Sequence, residues 1–512
     1  MIRLTQQRLE RGMAAATFHG YGSFLPEPPE FALVRKKWTE TKAFLASIDL
    51  DTYECYSYVR TFAPKSRLNV RRVSLLHPYD FILYSSLVLT LKDAIAKSRL
   101  PTGRVFSYRT EKTSVKQLYA ASPSFSDFRA KAAEKVNANP DGFVGITDIA
   151  DFFPRIYQHR LINALEAATL GKRREEIRAL EKMLSRFSEG TSYGIPTGPP
   201  ASRLLAEAVL IDVDSTLVSY GVDFIRFVDD YVIFSDRPQD AEYGIRILGE
   251  TLFLNHGLTL QTAKTKVMSN KAYSEKHLTL HSEKEANRRK LFEILSDSLY
   301  EDTSYDDLDE DQKEEIDTYN LADMLNEALL DRDNVDYQEV SFILGRLSSL
   351  QKPELISLVL QNLERLYPVA DAVAAFFGEF KNLDEAKYQE IGAALLRPLN
   401  EAEDTRPSEF YTIWALHIFS THERWGHGED LLRVFRETSS DVTRRYAALA
   451  LATSGSRAQA VKIKEYMSAG SPLCRTAMLL ATAKLGADER KFLRKSLHLS
   501  DPLERLCSES RI

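Results

Sequence analysis

Cysteine is scarce in this sequence: 512 residues contain only Cys55, Cys474 and Cys507, with no CxxC pair. That excludes a disulfide framework and a zinc knuckle, and a chain of this length with 44% apolar residues can build its core without either. Long apolar runs are missing too. The longest, residues 81–91, is interrupted by Tyr84, Ser85 and Ser86 and falls well short of the ~20 residues that a membrane-spanning helix needs. Residues 1–8 include basic side chains but no apolar h-region or small-residue cleavage site, so no secretory signal or membrane contact is expected and the cytoplasm is the expected compartment. No G-x-x-x-x-G-K-[ST] loop and no HExxH helix occurs, which excludes a P-loop motor and a zincin.

What is present is unevenly spread. The net charge of -6 divides into +6 over residues 1–285, with 39 Lys and Arg against 33 Asp and Glu, and -12 over residues 286–512, with 28 against 40. Residues 297–336 hold sixteen acidic side chains opposed only by Lys313 and Arg332, the composition of a solvated connector. Before residue 286, strand-like runs such as 142–146 and 222–227 alternate with helical segments, which predicts an α+β domain. Beyond it the periodicity is helical throughout. Residues 442–451 resemble 473–481 at an offset of 31, with a truncated third copy from Leu503, a pattern that favours HEAT-like stacking of helix pairs over an ordinary bundle. The expected organisation is therefore an α+β domain over 1–285, an acidic connector over 286–338 and an all-α domain over 339–512.

The chemistry is expected among carboxylates. In the run Phe227-Val228-Asp229-Asp230-Tyr231-Val232-Ile233-Phe234, two apolar arms flank adjacent aspartates, the pattern of a β-hairpin that presents acids at its tip. About eighty residues earlier, Val144-Gly145-Ile146-Thr147-Asp148 reads as a buried strand that ends on an aspartate ahead of a helix begun by Pro154. If that strand lies beside the hairpin, Asp148 meets Asp229 and Asp230. Three hard oxygen donors of this kind suit a pair of Mg²⁺ ions, which activate a hydroxyl nucleophile and stabilise a departing pyrophosphate.

These residues resemble the reverse-transcriptase palm. The run Asp148-Ile149-x-x-Phe152-Phe153 resembles that family's first motif, Gly194-Ile195-Pro196-Thr197-Gly198 its second and Val228-Asp229-Asp230 its third. Gly257-Leu258-Thr259-Leu260, followed by Lys264-Thr265-Lys266, is similar to the fourth. The resemblance implies a palm with fingers over about the first 285 residues. It also implies Mg²⁺, with Mn²⁺ as a substitute, bound by Asp148, Asp229 and the Ile149 carbonyl, with Asp230 completing the acidic cluster. Lys264 would be the acid that protonates pyrophosphate. Lys65, Arg71 and Arg72 would hold the triphosphate, although by themselves they read as a solvated basic face. Phe153 would lie under the sugar and exclude a 2′-hydroxyl, with one of Phe152 and Phe153 serving as core. Thr197 and Gly198 would line the nucleotide site.

Two features depart from templated enzymes of this family. The second motif reads Pro196-Thr197-Gly198 where they have Pro-Gln-Gly, and a net-negative helical half stands where a basic, duplex-gripping thumb is usual. Both resemble the abortive-infection (Abi) reverse-transcriptase-like polymerases, and most closely the prophage-encoded type. That resemblance implies template-independent DNA synthesis from dNTPs, primed on a protein tyrosine so that single-stranded product stays attached. It further implies a homo-oligomer, a bacterial host, a role in phage defence and a phage or host protein as a further partner. None of the 23 tyrosines is singled out as the primer. The alternatives are a templated reverse transcriptase of retron or intron type and an inactive palm that serves as a protein scaffold. Crowded carboxylates argue against the scaffold, because they cost electrostatic energy that only chemistry repays.

Overall fold

Alternating apolar residues and tight turns produce six strands among the described residues: Val59–Pro64 (β1), Val70–Leu75 (β2), Phe143–Asp148 (β3), Asp223–Phe227 (β4), Asp230–Ser235 (β5) and Lys266–Ser269 (β6). The structure is a computed structural model that describes residues 1–22, 24–65, 69–111, 114, 116–278, 321–330, 335, 337–350, 355–400, 407–497, 499 and 501–510. Most of the expected acidic connector lies outside the described residues. The chain divides into two compact units, one made of Met1–Gly20, Leu45–Cys55 and Phe81–Asp317, the other of Tyr21–Phe44, Tyr56–Asp80 and Thr318–Ile512.

In the first unit, β4, β5, β3 and β6 pair in that order into a wholly antiparallel sheet. β3 is central, running against β5 from Phe143↔Ser235 to Asp148↔Asp230 and against β6 from Phe143↔Ser269 to Ile146↔Lys266. Helix Pro238–His256 packs on β3, β5 and β6. Gly145 permits its approach, since a Cβ there would lie 2.9 Å from Ile245 Cδ1. Helix Phe125–Ala138 begins with a reciprocal cap between Ser124 and Asp127 and packs on β4 and β5. Its Phe125 and Phe128 rings lie 5.1 and 5.9 Å from the Phe227 ring, so an aromatic cluster anchors the first arm of the hairpin. The expected α+β character of this part is present. No helix among the described residues is long and apolar enough to cross a membrane.

Among its described residues the second unit is helical apart from loops and the antiparallel β1–β2 hairpin, whose register runs from Val59↔Leu75 to Pro64↔Val70. Helices Tyr337–Leu350, Ala370–Gly378, Glu409–Ile418, Asp441–Ser454, Pro472–Ala481 and Pro502–Glu509 pack in succession, each against the next of this series. The two similar stretches seen in the sequence fall on Asp441–Ser454 and Pro472–Ala481, which pack against each other. Arg445 and Thr476, at equivalent positions 31 residues apart, both reach Glu30. The Arg445 guanidinium sits 2.7 and 2.8 Å from the two Glu30 carboxylate oxygens, and Thr476 Oγ1 donates to Oε1 at 2.6 Å.

Tyr21–Phe44 and Tyr56–Asp80 group with the later helices for identifiable reasons. Glu30 is held by Arg445, Trp414 Nε1 donates to the Phe24 carbonyl at 3.2 Å, and β1 packs on helix Glu409–Ile418.

Candidate active site

β4 and β5 are joined by only two residues, Val228 and Asp229, and of these Val228 alone has a positive φ, at 54°. A positive φ confined to the first central residue is the II′ class of turn, whose twist suits a hairpin. A β-branched residue is a poor occupant of that conformation, so the turn is strained and must be held by its surroundings. The ladder beside it sets Asp148 opposite Asp230, and the Ile149 N–H donates to the Asp229 carbonyl at 3.2 Å. The three aspartates expected from the sequence therefore meet at one end of the sheet.

Their electrostatics follow from that crowding. Asp148 is buried and Asp229 half-buried. Burial, then the neighbouring Asp148 and Asp230 charges, push the Asp229 carboxyl up from 3.8 to about 7. Lys264 Nζ donates to Asp148 Oδ2 at 2.6 Å. Burial works against the Lys264 charge, but Asp148, Asp230 and Asp229 outweigh it and hold the ammonium above its ordinary value.

Lys264 is placed there by backbone pairing. Gln261 N–H donates to the Asp148 carbonyl at 2.7 Å and Ala150 N–H to the Thr259 carbonyl at 2.9 Å, while the Thr147 and Thr265 hydroxyls share a bond of 2.7 Å. Between those two backbone bonds, Ile149 faces Leu260 as a non-hydrogen-bonded pair, which leaves the Ile149 carbonyl out of the ladder.

Hard oxygen donors, a carboxyl raised by burial and by like charge, and an ammonium already on Asp148 all suit a cation at this position. Among the described residues no three His, Cys, Asp or Glu side chains form a ready-made cage, and Lys264 engages an Asp148 oxygen that a divalent ion would use.

Phe152 is buried while Phe153 is half-buried, and their rings lie 5.8 Å apart at 76°. Of the two, Phe152 is therefore the core ring. The helix expected to begin at Pro154 instead begins at Phe152 and spans Phe152–Arg155, with Asp151 left-handed before it at φ 46°. Onto this turn folds the loop bearing Thr197 and Gly198. Gly194 N–H donates to the Ile156 carbonyl at 2.9 Å and Ile195 N–H to the Phe153 carbonyl at 3.2 Å. Gly194 has φ 87°, and a Cβ on it would lie 3.1 Å from the Pro154 carbonyl oxygen.

Lys65, Arg71 and Arg72 are not brought into the unit that carries the aspartates. They belong to the β1–β2 hairpin of the other unit, where Lys65 N–H donates to the Asn69 carbonyl at 2.8 Å and the Arg71 guanidinium lies 5.3 Å from the Phe24 ring centre.

Sequence reasoning missed Arg226. It is wholly buried, bound to Asp214 through Nε at 2.9 Å and Nη2 at 2.5 Å, and to Glu207 through Nη2 at 3.0 Å. Its Nη1 donates to the Val228 carbonyl at 2.8 Å. Glu207 also accepts from Arg99 Nη2 at 2.6 Å and Ser107 Oγ at 2.5 Å. Burial alone would raise Glu207, but the Arg226 and Arg99 guanidiniums hold it below its ordinary value, whereas burial prevails at Asp214 and raises it. The available signal was a lone charge inside the apolar run Phe224-Ile225-Arg226-Phe227. A separate cavity of about 540 Å³, with Arg160, Asn163, Asp212 and His256 among its lining, includes none of the three aspartates.

Residues 85–309 match the family model described as reverse transcriptase (RNA-dependent DNA polymerase). No curated protein matches the chain. Among solved structures, telomerase from Candida albicans in complex with a TWJ fragment of telomeric RNA is similar at 11% identity and a TM-score of 0.34, over 81% of this chain and 70% of that one. Apo telomerase from Candida tropicalis is similar at 10% identity and a TM-score of 0.32, over 94% of this chain and 74% of that one. The three aspartates and the four motif-like runs all lie within residues 85–309, the stretch that matches the reverse-transcriptase model.

Proposed function

We propose that the protein is a DNA polymerase of reverse-transcriptase type that adds deoxynucleotides without a template and primes on one of its own tyrosines, in a phage-defence system of the abortive-infection kind. The observation that carries the polymerase reading is the β3–β5 register, which sets Asp148 opposite Asp230 with Asp229 on the adjoining turn. Asp148, Asp229 and the Ile149 carbonyl would hold divalent metal, with Mg²⁺ the expected ion. When bound, it would supply charge neutralisation at the transferring phosphate and a more nucleophilic hydroxyl. Lys264, bonded to Asp148, would deliver a proton to the departing pyrophosphate, and Phe153, whose carbonyl accepts from the Ile195 N–H of the motif that carries Thr197 and Gly198, would be the selecting ring. Support for the template-free reading is the short Thr197 in place of a long amide, together with a net-negative helical half. Attached single-stranded product, assembly with further copies and a phage or host partner belong to the same proposal. So does placement in the cytoplasm of a bacterium.

The test is incubation of purified protein with Mg²⁺ and labelled dNTPs, without template or primer, followed by denaturing gels before and after protease, with Asp229→Ala alongside. Label that migrates with the protein, is released as DNA by protease and is absent from the variant is the expected result. Incorporation only on an annealed primer and template would favour the templated reading instead. No incorporation under either condition would leave the scaffold reading.

A further inference from the structure

Arg226 spends all its donors. Nε and Nη2 engage Asp214, Nη2 and Nη1 engage Glu207, and the remaining Nη1 bond goes to the carbonyl of Val228. That carbonyl belongs to the peptide between Val228 and Asp229, the central peptide of the strained turn. A buried ionic cluster is an expensive way to stabilise a core, because well-packed apolar side chains of similar volume do as well or better. Its distinguishing product here is directional. Two acids fix the plane of one guanidinium, and the guanidinium fixes the plane of one peptide.

The alternative hairpin turn, class I′, has positive φ at both central residues and differs in the orientation of that same peptide. Rotation toward it would take the Val228 carbonyl off Arg226, give Asp229 a positive φ and press that carbonyl oxygen toward the Asp229 Cβ, which disturbs the setting of the carboxylate beside Asp148 and Asp230. On the far side of the turn, the Ile149 N–H supplies the second tie, to the Asp229 carbonyl at 3.2 Å.

We propose that Arg226, locked by Asp214 and Glu207, is the positioning residue that holds the Val228–Asp229 turn in its strained form and so sets Asp229 for the nucleotidyl-transfer centre. The inference rests on the polymerase reading of that centre. Arg99 balances the charge of the cluster and, with Ser107, adds two further bonds to Glu207, so the clamp is held on several sides as well as buried.

The test compares wild type, Arg226→Lys, Val228→Gly and the double variant Arg226→Lys/Val228→Gly, reading kcat and KM for dNTPs, Mn²⁺ affinity by electron paramagnetic resonance without nucleotide, and melting temperature. Lysine keeps the charge but loses the fork that spans both acids and the carbonyl. The expected result is a loss of about 10–100-fold in kcat or Mn²⁺ affinity with Arg226→Lys, the range for outer partners of a metal site, while KM for dNTP moves little. Glycine accepts positive φ without strain, so Val228→Gly in that background is expected to return roughly fivefold or more of the loss.

A role confined to core stability would instead lower the melting temperature, and glycine at 228 would restore nothing. That result overturns the proposal, as does an Arg226→Lys protein with kcat and Mn²⁺ affinity unchanged. If Arg226→Lys does not fold, Glu207→Gln replaces it, since the amide keeps the shape and loosens the lock, and the same rescue is expected. A wild type that binds Mn²⁺ but incorporates nothing, with Mn²⁺ affinity still lowered by Arg226→Lys, sinks the polymerase reading and leaves the positioning role standing. A wild type that neither incorporates nor binds Mn²⁺ overturns both.

Discussion

Lys264 donates from Nζ to Asp148 Oδ2 at 2.6 Å, so the cation that neutralises the first aspartate of the acidic cluster is supplied by the chain itself, from the stretch that follows helix Pro238–His256. The side chain is half exposed, which leaves it room to swing away when another cation arrives.

Lys264→Met should separate two roles. As a proton donor to pyrophosphate, Lys264 is worth about 100-fold or more in kcat. As a resident cation it competes with divalent metal, so the same variant should bind Mn²⁺ more tightly than wild type. Single-turnover incorporation and Mn²⁺ titration by electron paramagnetic resonance read the two effects separately, and equal losses in both would show that Lys264 only supports the site's shape.

The raised Asp229 carboxyl gives a pH dependence whose sign is set. Its value moves from 3.8 to about 7 in the fold, so the folded state keeps a proton that the unfolded chain releases at lower pH. This group's contribution to stability is therefore full below about pH 4 and is lost as pH rises through 7. Mg²⁺ favours the ionised cluster and offsets that loss. The melting temperature gained on adding Mg²⁺ should be greater at pH 8 than at pH 5.5, by roughly 2–4 °C for each kcal/mol recovered. Asp229→Asn should remove the difference, as measured by thermal unfolding at both pH values.

Phe153→Ala should relax sugar selection. With the half-buried ring gone, the preference for dNTP over rNTP, taken as the ratio of kcat/KM, should fall roughly tenfold or more. Phe152→Ala should instead cost about 3–5 kcal/mol of stability, because that ring is core. Equal sugar selectivity in wild type and Phe153→Ala would show that the ring does not meet the sugar.

Glu30→Ala should be among the most damaging substitutions in the second unit. It strands the Arg445 guanidinium without its carboxylate in a buried setting, at a cost of about 3–5 kcal/mol. Replacing both partners, Glu30→Leu with Arg445→Met, should recover most of that stability, as read by urea unfolding. A double variant no more stable than Glu30→Ala would assign the damage to lost shape rather than to the uncompensated charge.

The acidic centre was legible because its signals are local. Alternation of apolar residues around Gly145 and Val232 marks strands, and adjacent aspartates between two such arms mark a hairpin tip, so Asp148, Asp229 and Asp230 could be brought together by the simplest antiparallel pairing. The stretch carrying Lys264 was legible by order along the chain. The Pro154 helix was misplaced by two residues, because a proline is tolerated anywhere in a first helical turn and so marks a start only loosely.

Arg226 and the β1–β2 hairpin show the other limit. Arg226 stands 12 and 19 residues from the acids that lock it, and nothing periodic links strand residue 226 to helix residues 207 and 214. Glu30 finds Arg445 across 415 residues, which is why the segment around it groups with late helices rather than with its neighbours in sequence. The sequence by itself determined the strands, the tight turn, the order of the motifs and the chemistry of the acids, since each depends on residues a few positions apart. Tertiary structure alone decided which charges neutralise one another in the interior and which unit the basic hairpin joins. Those outcomes depend on burial, and burial is a property of the packed whole that no local pattern encodes.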